Sequence, residues 1–463
     1  MRIHLVLCSS PVWSAKFAND VPSSARTPNC NLSSMSVYTS RNASAHLALE
    51  IWLEIFRYAT YVPQAMNFIP LDAFIPEQPS NNAMGPNTEG LSIRTKCNLV
   101  LVCHAWRLVT LQLLYEYIPI KSPRRADLIL QSLEGSRRIS ATGENISESY
   151  GMWTRHIQVQ TFGRGSGSIQ YLQKVFRICQ HCPSLRIFSG IWHWGLPQSF
   201  HDAVSRLYGA SLQGLWWEEP SLASQTTPSF ATPSFFIAFQ SVRVLHLNLH
   251  RGATPQPVEP RLVLSQVEHL VLAPNNHTFS IVAALQLPML SRVTVVPHHR
   301  DEKYTFTPVY FLHVHGSNIT YLDLGDCSYM HNISLFLNGC PNLQDFVYSI
   351  QAGPMNSLGQ PHGSLRRIGL RGVGTSWAPH FLMKQHFRTY SIDVFPALEV
   401  VRTVGFLVAK SLPNHGKQDV LSEFIRWVEA FEQDGVDLQD GEGVVWLRSE
   451  DDRASESTRS DRC

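Results

Sequence analysis

The segment Cys179-Gln-His-Cys182 has the spacing that can bring two thiolates to one zinc ion. A structural zinc site needs a second ligand pair, and no other CxxC occurs in the chain. Cys179 also falls on the apolar side of a helical pattern, so both cysteines read as core residues. His313-Val-His315 would set two imidazoles on one side of a strand, with His298-His299 just upstream. With 20 histidines in the chain and no carboxylate in register, chance clustering explains these pairs better than a metal site. Residues 163–168 read GRGSGS but complete neither phosphate-binding pattern, GxxxxGK[ST] or GxGxxG, so they read as a flexible loop. GxSxG and HExxH are absent too. No catalytic residue, metal or cofactor is nominated, and the chain is not expected to be an enzyme.

Aromatic residues offer a different kind of chemistry. Trp192 and Trp194, and Trp216 and Trp217, form two pairs near the ends of apolar segments. Tryptophan dominates interface hot spots, so the four could make a contact patch; they could equally be core.

The chain that must position these residues has 463 residues, 44% hydrophobic and 16% charged, with a formal net charge of +2. That near-balance gives no reason to expect nucleic acid or an anionic membrane as a partner. No run of about 18 apolar residues is present to span a bilayer. The nine cysteines are odd in number and lack the rhythm of a secreted scaffold, which points to the cytoplasm or nucleus. The six N-x-[ST] sequons, including those at Asn42 and Asn276, then read as chance. The N-terminal apolar run is shorter than the roughly 7–15 residues of a signal-peptide core. Residues 1–43 are rich in Ser, Asn and Pro and read as a disordered tail, with Met35 an alternative start; residues 449–463 read as a second tail.

Two helical patterns follow the first tail. In residues 47–60, after His46, Ile51, Ile55 and Ala59 recur every fourth position, with Trp52 and Phe56 beside them, as one wide apolar face. Five prolines between residues 61 and 93 then exclude a long helix and mark an insertion. A second helix is predicted from about 94 or 98 to 117. It carries Leu99, Val102, Trp106, Val109 and Leu113 on one stripe and Leu101, Ala105 and Leu108 on another. A helix apolar on two sides needs two covers, and so small a module supplies only one. The other must be a partner or the following domain.

These two stretches, LALEIWLEIF and LVCHAWR, resemble an F-box, in wording close to F-box proteins of fungi. Leu47, Glu50, Ile51, Ile55, Phe56, Leu101, Val102, Cys103, Trp106 and Arg107 match the family's pattern. Ala48 departs from it where the family has proline, and the insertion of about 30 residues departs again. The resemblance covers residues 47–120.

Residues 121–150 read as a connecting helix and linker, with Ser122 capping it, Pro123 in its first turn and Leu128, Ile129 and Leu133 inward. Beyond them, apolar residues recur at i, i+3 and i+5. The fullest examples are Val242/Leu245/Leu247, Val267/Leu270/Leu272, Leu290/Val293/Val295 and Ile319/Leu322/Leu324. Successive starts are separated by 22 to 33 residues, the range of leucine-rich repeats. The fold class is therefore α/β. A small all-helical F-box module (44–120, insertion 61–93) precedes an irregular leucine-rich-repeat-like solenoid with a parallel sheet (151–448). An ordinary α/β domain of about eight strands is the alternative. Intervening helices are predicted at 168–179, 280–287, 332–339 and 421–433, and a last strand at 443–447. Alternation nominates Arg243, His246, Glu268, Arg292, Tyr321, Asp323 and Arg366 as outward-facing strand residues, where a protein substrate would bind.

The resemblance implies the substrate-recognition subunit of an SCF-type ubiquitin ligase. Such a subunit binds a Skp-family adaptor, through it a cullin, and tethers a protein substrate without doing chemistry itself. Leu47, Glu50, Ile51, Ile55, Phe56, Leu101, Val102, Cys103, Trp106 and Leu113 are the expected adaptor-binding set. The alternatives are an adaptor-bound scaffold without ubiquitination and a leucine-rich-repeat interaction protein whose helical region caps the solenoid.

Overall fold

Apolar triads and helical stripes organise the chain. A computed structural model describes residues 47–446 except 63–67, 69, 71, 76–87, 142–148, 162–164, 166, 220–230, 250–261, 297–307, 328–332, 356–357, 376–379 and 409–417. Both expected tails, Asn42, His46 and His298-His299 lie outside the described residues, as do Gly163, Arg164 and Ser166 of the glycine-rich loop.

Among the described residues three helices come first: α1 (Leu49–Ala59), α2 (Glu89–Val100) and α3 (His104–Glu116). They are followed by β1 (Tyr117–Ile120), α4 (Pro123–Ala141), β2 (His156–Gln160), α5 (Ile169–Gln180), β3 (Ile187–Ile191), α6 (Gln198–Tyr208), β4 (Gly214–Glu218), α7 (Pro233–Phe236) and β5 (Val244–Asn248). Next come β6 (Leu262–Val263), β7 (His269–Leu272), α8 (Asn276–Ala283), β8 (Leu285–Gln286), β9 (Arg292–Val295), α9 (Val309–His315), β10 (Tyr321–Asp323) and α10 (Ile333–Gly339). The described chain ends with β11 (Asp345–Ser349), β12 (Arg367–Arg371), α11 (His380–Phe387), β13 (Val400–Val404), α12 (Gln418–Gln433) and β14 (Asp437–Gln439).

Twelve strands form one sheet in the order β1-β2-β3-β4-β5-β7-β9-β10-β11-β12-β13-β14, and their pairings are parallel. The strand order is the chain order, and β6 pairs separately with β8. Successive helices pack on one another, α4 on α5, α5 on α6, α8 on α9 and α9 on α10, as a layer along the sheet. The i+3 and i+5 residues of each triad, such as Leu245 and Leu247 or Val293 and Val295, are buried in the main core. Side chains alternate along a strand, so the residues between them face the other side of the sheet. The α/β class and the parallel sheet are thus as the triads predict. Ser122 Oγ accepts a hydrogen bond from the Arg125 N–H at the start of α4, as an N-cap does.

Several boundaries are corrected. The second predicted helix is two helices, α2 and α3, broken at Leu101–Cys103, where Cys103 Sγ accepts from the Trp106 N–H at 3.5 Å as the N-cap of α3. The 3-4-3-4 apolar spacing continues across the break, which hid it. α2 begins at Glu89, inside the predicted insertion. The sheet begins at Tyr117, where β1 pairs with β2, not after residue 150. The last strand is β14; Val445 makes only an isolated antiparallel bridge to Gln439. His313 and His315 lie on helix α9, two positions apart and so on opposite sides, with His313 exposed and His315 buried near the Val282 carbonyl at 3.2 Å.

Candidate functional site

Two surfaces bring the nominated residues together: the outer side of α1, and the sheet face opposite the helix layer.

Helix α1 divides its apolar residues between two sides. Trp52 and Phe56 turn inward and meet Trp106 of α3, with ring centroids 5.0 and 4.9 Å from it. Phe56, Val109 and Leu113 are buried together, and Leu53 and Leu99 pack against them. Phe56 and Leu113, nominated for adaptor contact, are therefore the module's own core. Ile51 and Ile55 take the other side, one helical turn apart, with Leu47 just ahead of the helix, and they remain 47%, 43% and 43% exposed in that order. Leu101 and Val102, in the turn before α3, are 69% and 59% exposed. Each of these half-covered side chains still has on the order of 1 kcal/mol of transfer free energy to gain on being buried. Glu50 is exposed in the first turn of α1, next to the favourable positive end of the helix dipole. Ala48 is the N-cap, with φ −58°, and its carbonyl accepts from the N–H groups of Ile51 and Trp52. The predicted second stripe, Leu101, Ala105 and Leu108, stays exposed, and it is further along α3, through Leu111, Leu114 and Tyr115, that the helix enters the main core. Tyr115 stacks on Tyr150 at 4.6 Å, and Tyr150 on Trp153 at 5.7 Å, which seats the module on the first strands.

The four tryptophans separate. Trp192 and Trp217 are fully buried, 5.4 Å apart, with the Trp192 ring against the backbone of Gly190; they are core, not contact patch. Trp194 is exposed. Trp216 lies on the open sheet face, stacked on His246 at 4.0 Å. Arg243, Glu268 and Arg366 are not on that face. They precede their strands and form an exposed rim, where backbone N–H groups continue the ladder and Arg243 makes a bidentate pair with Glu268.

On the open face, β9 to β13 place Arg292, Tyr321, Asp345 and Arg367 in one row of paired positions, and Thr294, Asp323, Val347, Gly369 and Arg402 in the next. Tyr321, Asp323 and Val347 are nevertheless buried. Part of their cover is the proline-rich insertion. Phe68 lies against Gly214 of β4, where a Cβ would come within 2.8 Å of its ring. Asp72 Oδ2 accepts from Arg292 at 2.8 Å. Phe74 packs on Tyr321 and Val347, with the Arg367 guanidinium 4.6 Å and that of Arg402 5.8 Å from its ring. The Ala73 N–H points to the Tyr321 hydroxyl at 3.4 Å, and the Ala73 carbonyl accepts from Arg402 at 3.5 Å.

Charge matches this seat. Burial alone would raise the Asp72 carboxyl, but the hydrogen bonds from Arg292 and the Phe74 N–H, with the charges of Arg292 and Arg367, hold it below the ordinary carboxylate value. Arg367 holds Asp345 bidentately at 2.5 and 2.6 Å, and Arg371 holds Asp323 at 2.7 Å. Arg292 is in turn stacked on the Tyr321 ring, its guanidinium carbon 3.9 Å from the centroid. Alternation nominated Arg292, Tyr321 and Asp323 but missed Arg367, Arg371, Arg402 and the insertion. The available signal was Phe68 and Phe74 among the prolines, since a solvated loop has no need of aromatic rings.

Cys179 and Cys182 are buried thiols, and burial pushes Cys182 up to about 11, away from the thiolate a metal would need. Among the described residues no group of three His, Cys, Asp or Glu side chains could hold a metal ion, and no helix is long and apolar enough to cross a membrane. No protein-family model matches the chain, and no curated protein sequence matches it.

Proposed function

We propose that this chain is a non-catalytic interaction subunit: a helical F-box-like module that binds a Skp-family adaptor, joined to a leucine-rich-repeat-like solenoid that holds a protein substrate for an SCF-type ubiquitin ligase. The observation that carries the reading is the outer side of α1. Leu47, Ile51 and Ile55 stay exposed while Trp52 and Phe56 satisfy the internal packing. A helix whose second apolar side finds no cover among the described residues fits a partner's groove. The matched positions Leu101 and Val102 add exposed apolar surface in the same module. The solenoid reading is supported by a strand order that follows the chain and by the even spacing of the triads. Within this reading Phe56, Trp106 and Leu113 hold the module together, Cys103 caps α3, and Leu47, Ile51, Ile55, Leu101 and Val102 meet the adaptor.

Co-expression with a Skp-family adaptor tests it. The full chain should co-purify with the adaptor and, through it, with a cullin, and Ile55→Lys should abolish the association while leaving the thermal transition in place. Adaptor binding that survives Ile55→Lys would refute the assignment of the face.

A second reading has its own observation. α3 runs directly into β1, so the three helices also act as an end cap of the sheet. A chain that never captures the adaptor would be a leucine-rich-repeat interaction scaffold with a helical cap.

A further inference from the structure

The insertion does more than lengthen a loop, because its chemistry complements the face beneath it. Strands β9 to β13 present Arg292, Arg367, Arg371 and Arg402 on that face against only Asp323 and Asp345. Those two carboxylates are taken by Arg367 and Arg371, so positive charge without a carboxylate from these strands is left at Arg292 and at Arg402, whose guanidinium donates to Gln439 Oε1. Asp72 from the insertion meets Arg292. Phe74, two residues on, fills the place between the Tyr321 ring, Val347 and the guanidinium of Arg367. Asp72 Oδ1 also accepts from the Phe74 N–H at 2.9 Å, and its carbonyl accepts from the Ile75 N–H at 3.1 Å. This turn presents the carboxylate and the ring from one short segment. Among the described residues of the segment, Asp72, Ala73 and Phe74 make these contacts, and none of them pairs as a strand.

We propose that the Arg292–Tyr321–Arg367–Arg402 face is a peptide-recognition site for an acidic-x-aromatic segment of a partner protein, and that Asp72-Ala73-Phe74 occupies it in cis until such a segment displaces it. An arginine cluster gives directional recognition of a carboxylate, and an aromatic ring between guanidinium groups adds cation–π attraction. The tethered segment competes at high effective concentration, so a partner must bind well enough to overcome it. The inference rests on reading the sheet as a partner-binding platform; it does not depend on adaptor binding by α1.

The test uses the full chain and a fluorescein-labelled peptide with the sequence of residues 68–76, FIPLDAFIP, followed by anisotropy. Asp72→Ala/Phe74→Ala should empty the site and bind the peptide at least about tenfold more tightly than the unmodified chain. Adding Arg292→Ala/Arg367→Ala should remove that binding, as should replacing the peptide's Asp by Asn and its Phe by Ala. If the double variant does not fold, Asp72→Asn leaves Phe74 in place and should still bind the peptide about threefold more tightly than the unmodified chain. Folded variants that gain no peptide binding, or gain it regardless of the two arginines, would overturn the proposal and leave the insertion a structural strap. Loss of adaptor co-purification with intact peptide binding would instead count only against the α1 reading.

Discussion

Phe56 and Ile55 are neighbours in sequence and opposites in energetics. Phe56 lies between Trp52 and Trp106 over Leu113, so Phe56→Ala should open a cavity and cost the module about 3–5 kcal/mol. Ile55 has no such neighbours among the described residues, and Ile55→Ala should change stability by no more than about 0.5 kcal/mol. Urea unfolding of both variants checks the sorting; equal losses would mean that the outer side of α1 is packed too. Glu219 makes a second residue-scale case. Its carboxyl is buried beside Trp217, whose indole N–H donates to it at 2.9 Å, and burial raises it to about 7. His201, 3.9 Å away, is itself lowered by burial to about 4, so it brings no compensating charge near neutrality. A raised folded-state value means that the protonated form is favoured in the fold. The cost of ionising Glu219 is absent below its unfolded value near 4.5 and complete above about 7. Glu219→Gln should therefore stabilise the chain by roughly 2–4 kcal/mol at pH 8 and hardly at all at pH 4.5. Equal effects at both pH values would refute the assignment.

At the scale of the element, the entry to α1 is open to improvement. Ala48 already has a φ of −58°, inside the range that proline fixes, and its side chain makes no capping hydrogen bond. Ala48→Pro should raise α1 stability by about 0.4–1 kcal/mol through lost freedom in the unfolded chain. Thermal melts of the two proteins measure it, and a lower transition for the proline form would show that the Ala48 N–H or the preceding turn resists the ring. Elements also differ in how far the sequence discloses them. The triads such as Leu290, Val293 and Val295 were legible because burial on one sheet face imposes a strict period. The exposed side of α1 was not, because Ile51 and Trp52 look equally apolar until one knows which faces Trp106. The break between α2 and α3 was hidden because Leu101 and Val102 keep the apolar spacing while sitting in a turn. The seat of Phe74 was least legible of all. Its partners Tyr321 and Val347 lie more than 240 residues away, and no local pattern encodes so distant a contact.

Four imidazoles, His201, His269 and His386 buried and His156 half-buried, are held neutral by their surroundings, and this should make the molecule sensitive to acid. Burial lowers His156 to about 3 and His201, His269 and His386 each to about 4. Their unfolded values lie near 6.5, so the unfolded chain takes up protons first as pH falls. The stability they permit is intact above pH 6.5 and is lost as pH drops toward 4, at about 1.4 kcal/mol per pH unit for each group. Glu219 opposes them over part of that range, but one group against four leaves a net loss. Unfolding free energies should decline steeply between pH 6 and 5; a flat profile there would mean that these histidines are solvated.

At this same scale two faces matter: an apolar helix side, proposed to take an adaptor, and a sheet face on which Asp72 and Phe74 of the insertion sit. The most direct test is the dissociation constant between the full chain and a purified Skp-family adaptor, measured by titration calorimetry for the unmodified chain, for Ile51→Lys/Ile55→Lys and for Arg292→Ala/Arg367→Ala. The account predicts tight binding by the unmodified chain, loss of about a hundredfold or more in the α1 variant, and no change in the sheet variant. Adaptor binding that is absent from the unmodified chain, or untouched by the two lysines, would contradict it.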